Sequence, residues 1–108
     1  MWTVGPHKPQ FLKNLLERLD YLVGIVDTPK LDRRAQYILR YELDDVLQLL
    51  AAIAQLKHHP NPLEMLTRSP RKIRGMNNVH FIARGRWFAY FDVDLNAKSV
   101  VGFSAVYQ

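Results

Sequence analysis

A change of hydrophobic period part-way along the chain limits its fold more than any other feature. From Pro9 to Asp27, residues Leu12, Leu15, Leu16, Leu19, Leu22, Val23 and Val26 recur at steps of three and four, along one face of a helix. Leu31, Ala35, Ile38, Leu39, Leu43, Val46, Leu47, Leu50, Ile53 and Ala54 keep that period to about His58, with neither Gly nor Pro after Pro29. Further on the period falls to two. Val79, Phe81 and Ala83 alternate with His80, Ile82 and Arg84, then Arg86, Phe88 and Tyr90 with Trp87, Ala89 and Phe91; Ser99 to Tyr107 is β-branched and aromatic. This order predicts an α+β fold: an N-terminal antiparallel helix hairpin packed on a C-terminal antiparallel sheet, curled and basic-mouthed, from Lys72 to Tyr107.

Local punctuation places the joints. Asp27-Thr28-Pro29 reads as a side-chain cap with proline in the first turn, so the second helix is expected to begin at once. His58-His59-Pro60-Asn61-Pro62 ends it, because each proline drives the preceding residue out of helical geometry. Arg84-Gly85 and Asp94-Leu95-Asn96-Ala97 have turn composition, which makes the strands a meander of three, or of four if Arg71 to Gly75 adds one. Trp2-Thr3-Val4 suits a short N-terminal edge strand. No repeat or linker interrupts the chain, so residues 1–108 form one domain, long enough to bury about two-thirds of the surface an unfolded chain exposes.

Charge and composition narrow the chemistry. Arg68, Arg71, Lys72, Arg74, Arg84 and Arg86 fall between positions 68 and 86 without an acid among them, in a chain of net charge +5. Such clustering favours a polyanionic or acidic partner. Cysteine is absent, which removes disulfides and thiolate metal sites. No stretch approaches the ~18 apolar residues of a membrane span, and MWTVGPHKPQ has no secretory character, so a cytoplasmic protein with no membrane partner is expected. Asp92, Asp94 and Asn96 imitate the start of a calcium loop, but Ala97 and Phe103 stand where glycine and glutamate are required. A hairpin tip with Asx side chains bonded to local backbone is the better account. Adjacent His58 and His59 diverge by about 100° on a helix and cannot chelate one ion. No metal and no cofactor is expected. GxSxG, HExxH and GxxxxGK[ST] do not occur.

Lys72-Ile73-Arg74-Gly75, a strand closing on Arg84, Gly85-Arg86-Trp87 leading into an aromatic strand, an acidic hairpin and a hydrophobic last strand, preceded by two helices, resemble the RelE/ParE toxin superfamily, particularly its phage-derived and HigB-like branches. The likeness covers Phe11 to Tyr107. It implies the toxin of a type II toxin-antitoxin pair, cutting mRNA on the ribosome and neutralised by an antitoxin of helix-turn-helix type. It also implies roles. Arg68, Arg71, Lys72 and Arg74 would bind RNA; Arg84, Arg86, His80 and Tyr107 would serve catalysis, in which a 2′-hydroxyl attacks the neighbouring phosphate. One position departs from the pattern: Phe88 stands where many relatives carry an arginine, and Arg86, one strand period earlier, is the cation expected on the same face to replace it. The same scaffold also accommodates a non-catalytic alternative, a gyrase-directed toxin or a basic nucleic-acid binder.

Overall fold

The computed structural model describes residues 1–108. Its elements are β1 (Thr3–Val4), α1 (Pro9–Ile25), α2 (Arg33–Leu56), a 3₁₀ turn (Pro62–Met65), β2 (Thr67–Arg68), β3 (Asn78–Arg84), β4 (Trp87–Asp94) and β5 (Ser99–Tyr107). The sheet has five strands in the order β1-β5-β4-β3-β2, antiparallel throughout except that β1 runs parallel to β5. Both helices cover one face. The fold is the α+β arrangement expected, with the N-terminal helix hairpin and the edge strand at Thr3–Val4 in place.

Three local expectations are corrected. The second helix begins at Arg33, not after Thr28, and its cap is Asp32, whose side chain accepts the Ala35 N–H at 2.7 Å. Thr28 is no cap because its hydroxyl donates back to the Gly24 carbonyl, at 3.4 Å. The fourth meander strand is Thr67–Arg68, paired with Phe81 and His80, and not Arg71 to Gly75. That segment is a loop, bent by Gly75 at φ +85° and tied down where the Asn77 N–H donates to Asp92. Finally, Leu16, Val23, Ile38 and Leu47 lie in the predicted apolar stripes yet are about half exposed or more. A helix pair resting on a single sheet face can bury only the side chains aimed at that face.

Alternation decides what each strand buries. By register, Trp87, Ala89, Phe91 and Val93 share the helix side with Ile82, Val100 and Ala105. They join Phe11, Leu15, Leu22, Val46, Leu49 and Leu56 in the core. A bulge sits where Tyr90 faces Ser104 but Phe91 faces Gly102, which leaves Phe103 unmatched. There the N-terminal segment takes over the backbone groups of Gly102. His7 Nδ1 accepts its N–H at 2.8 Å, and the Lys8 N–H donates to its carbonyl at 2.9 Å. Phe11 packs directly over this point: a Cβ on Gly102 would come within 2.5 Å of its ring.

The hairpin tips follow their composition. Asp94 Oδ1 accepts the N–H groups of Asn96 and Ala97, both at 3.0 Å, which is the Asx-bonded tip that the sequence predicts. Between β3 and β4 the loop is two residues long, with Gly85 first at φ +57° and Arg86 second. Glycine is favoured there by the left-handed backbone, and a Cβ would displace the Asp45 carboxylate.

Candidate functional site

The β3–β4 turn and the end of β5 build the most chemically loaded surface. The Arg86 N–H donates within hydrogen-bond range to the Gln108 carbonyl, at 2.5 Å from Nε, while the Gln108 N–H returns to the Arg86 carbonyl at 2.7 Å. This lays the guanidinium over the Tyr107 ring, 4.8 Å from its centroid. Tyr107 packs edge-on against Trp87 at 5.7 Å yet stays 50% exposed. It lines a groove of ≈ 570 Å³ together with Asn14, Arg18 and Tyr21 of α1, and a second hollow of ≈ 260 Å³ with Tyr41 of α2 and Arg86. A half-exposed phenol ring thus lies under a guanidinium. Four of the five guanidinium N–H groups remain free of the Gln108 bond.

Beneath the groove lies a charged network. Arg18 grips Glu42 in a two-pronged pair, Nε to Oε2 at 2.6 Å and Nη2 to Oε1 at 2.7 Å, and the Trp87 indole N–H donates to Oε2 at 3.0 Å. The Arg18 bond holds the Glu42 carboxyl below the usual carboxylate range against the opposing effect of burial, and the Trp87 bond adds to the lowering. The pairing raises Arg18 correspondingly. With both oxygens occupied, Glu42 is poorly placed to accept a proton from a substrate. Its effect is to hold Trp87 and Arg18 where they shape the groove.

The other predicted residues divide into separate places. Arg84 lies on the helix side of β3, its guanidinium turned back to the Ala83 carbonyl at 2.8 Å. His80, on the same face four residues earlier, is 9% exposed, and its ring approaches only the Asn78 carbonyl at 3.4 Å. Four strand residues span about 13 Å, so His80 and the Arg86–Tyr107 pair do not share a site. Arg68 sits on the outer edge strand across from His80, within 3.4 Å of Asn78 Oδ1. Arg71, Lys72 and Arg74 belong to the exposed loop between β2 and β3, and Arg71 reaches the helix-free face, 5.6 Å from the Tyr90 ring centroid.

Arg86 does not share a face with Phe88. Strand alternation fails for it because it is the second residue of the turn, not part of β4; its side chain lines the helix-side hollow, while Phe88 stands on the helix-free face. The basic mouth expected from the sequence is therefore two basic regions, one at the turn and one on the loop.

Sequence reasoning passed over Arg18, Glu42 and Trp87. A signal was present: Glu42 falls inside the apolar stripe between Leu39 and Val46, and Arg18 between Leu15 and Leu22. Charges inside opposing stripes of a helix hairpin imply a pair. No group of His, Asp or Glu side chains is placed to hold a metal ion, and no helix is long and apolar enough to cross a membrane. Comparison with known proteins yields no relative: no family model, no curated protein and no solved structure matches the chain.

Proposed function

We propose that the chain is a toxin of the RelE/ParE kind, acting in the cytoplasm as an endoribonuclease on ribosome-bound mRNA and silenced by a partner antitoxin. The observation that carries this is the half-exposed Tyr107 held under the Arg86 guanidinium at the edge of a groove. In-line attack by a 2′-hydroxyl on the adjacent phosphorus builds negative charge on the phosphate and expels a 5′-oxygen that must gain a proton. Arg86 answers the first need and the Tyr107 hydroxyl the second, while the 2′-hydroxyl proton passes to solvent water, from which the Tyr107 phenolate is reprotonated, leaving a 2′,3′-cyclic phosphate and a 5′-hydroxyl. Arg84 adds positive potential from the neighbouring strand. His80 has a packing role in this scheme, and an antitoxin would act by laying an acidic segment or a helix over the groove.

Induced expression should arrest growth and create new mRNA ends at codon-proximal positions. Tyr107→Phe keeps the ring under Arg86 and removes only the hydroxyl; it and Arg86→Gln should each lower cleavage by roughly a hundredfold or more. Growth without arrest, with mRNA ends unchanged, would sink the proposal.

Phe88 favours a second reading. Its place in a row of aromatic side chains, with no cation beside it on β4, suits a scaffold that binds without cutting, such as a gyrase-directed toxin. A supercoiling assay with purified gyrase separates the two, since an RNA cutter leaves gyrase unaffected.

A further inference from the structure

The helix-free face of the sheet carries a feature the groove does not use. Phe81 of β3, Phe88 and Tyr90 of β4, and Phe103 at the bulge of β5 form one connected aromatic patch. Ring centroids lie 5.5 Å apart for Phe81–Phe88, 6.1 Å for Phe88–Tyr90 and 6.4 Å for Tyr90–Phe103, and Phe88 and Tyr90 are within 17° of parallel. No helix covers them; Phe81, Phe88 and Phe103 remain partly open to solvent, while Tyr90 between them is buried, with Arg71 over its ring. Along one side runs the loop with Arg71, Lys72 and Arg74, all exposed, and Arg71 already lies over the Tyr90 ring.

We infer that this face is a stacking platform for a short stretch of single-stranded RNA. The partly open rings on adjacent strands match the π-faces of unpaired bases, and Arg71 beside them, on a loop that also carries exposed Lys72 and Arg74, matches the phosphates that connect those bases. Duplex nucleic acid is a poor fit, since its bases offer no free faces to the rings. The preference for RNA over DNA rests on the proposed function; the stacking and the charge match do not. Gln108 links the platform to the groove: its side chain accepts the Tyr90 hydroxyl at 2.6 Å while its carbonyl accepts the Arg86 Nε–H. The platform and the Arg86–Tyr107 pair therefore lie on opposite faces of the sheet and share Gln108 as a neighbour.

The test uses the full chain and fluorescein-labelled 2′-O-methyl oligouridine, which cannot be cut by 2′-hydroxyl attack, read by anisotropy. Wild type should bind, and binding should weaken steeply with salt. Phe88→Leu, which preserves apolar volume but removes the ring, should weaken binding roughly tenfold or more without lowering the melting temperature. Arg71→Gln, Lys72→Gln and Arg74→Gln together should reduce the slope of log K against log salt by about 2. Wild type that fails to bind, or both variants binding as wild type does, overturns the platform. Equal affinity for oligothymidine overturns the preference for RNA. Because the probe is inert to cleavage, binding without any mRNA cutting in cells would retain the platform and reject the endoribonuclease, and the opposite result would do the reverse.

Discussion

Glu42 shows how one side chain can fix a site without doing its chemistry. Removing its charge leaves Arg18 and the Trp87 N–H facing a weaker acceptor in a partly buried setting, so Glu42→Gln should cost about 2 kcal/mol in urea unfolding. The pH dependence follows from the direction of its shift. A carboxylate held below its unfolded value stabilises the fold fully at neutral pH, and that contribution disappears only as pH falls below about 4 toward the folded value. His7 acts in a higher window. Burial, reinforced by the charge of Lys57, lowers it from the ordinary histidine value, and its Nδ1 must stay unprotonated to accept the Gly102 N–H. Below about pH 6.5 the unfolded chain takes up this proton before the folded one does, so stability should fall as pH drops from there. Melting temperatures between pH 7.5 and 5 should show that loss in wild type and a flatter profile in His7→Gln; an identical slope in both would contradict it.

At the scale of elements, turn chemistry sets what the strands present. The two-residue β3–β4 loop needs Gly85 at positive φ with no side chain against Asp45, and it is this loop that turns Arg86 toward the helices. Gly85→Ala should therefore destabilise the protein by about 1 kcal/mol through backbone strain, and it should push the Asp45 carboxylate aside. It should also perturb whatever activity depends on Arg86. Chemical denaturation reports the first effect and RNA end mapping the second. The loop over the helix-free face makes a similar point. Pro70 and Gly75 bracket Lys72-Ile73-Arg74, and with Thr67–Arg68 already paired to β3 the segment has no strand to join. It forms a loop instead, with Arg71 laid over the Tyr90 ring and the Asn77 N–H bonded to Asp92.

For the molecule as a whole, a tight joint between layers lies where Phe11 of α1 sits on Gly102 of β5, beside His7 and Phe91. Gly102→Val would push a side chain into the Phe11 ring at the middle of the core. It should lower stability by about 3 kcal/mol or more, measured by thermal unfolding, whereas Gly102→Ala should be milder only if the ring can move. The helix hairpin, the three long strands and the short N-terminal strand were all legible in the sequence, because hydrophobic period, proline, glycine and Asx residues act locally; the connection between the helices was not, since residues 26–32 separate them where an immediate restart was expected. The cation cluster was legible as composition but not as geometry. Linear proximity placed Arg71 to Arg86 together, while the strand pairing sends the loop cations to one face and Arg86 to the other. Arg18, Glu42 and Trp87 could be read as anomalies but not as partners, since 24 residues separate the first two and 45 the last two. What the sequence by itself determined is the order and kind of elements, and the side-chain alternation within each long strand. Only the tertiary structure decided which helix charge meets which, where Arg86 turns, and that Phe81, Phe88, Tyr90 and Phe103 form one surface. The physical reason is that period and turn propensity are properties of neighbouring residues, whereas register, the bulge opposite Gly102 and the seating of Phe11 are settled by contacts between segments distant in the chain.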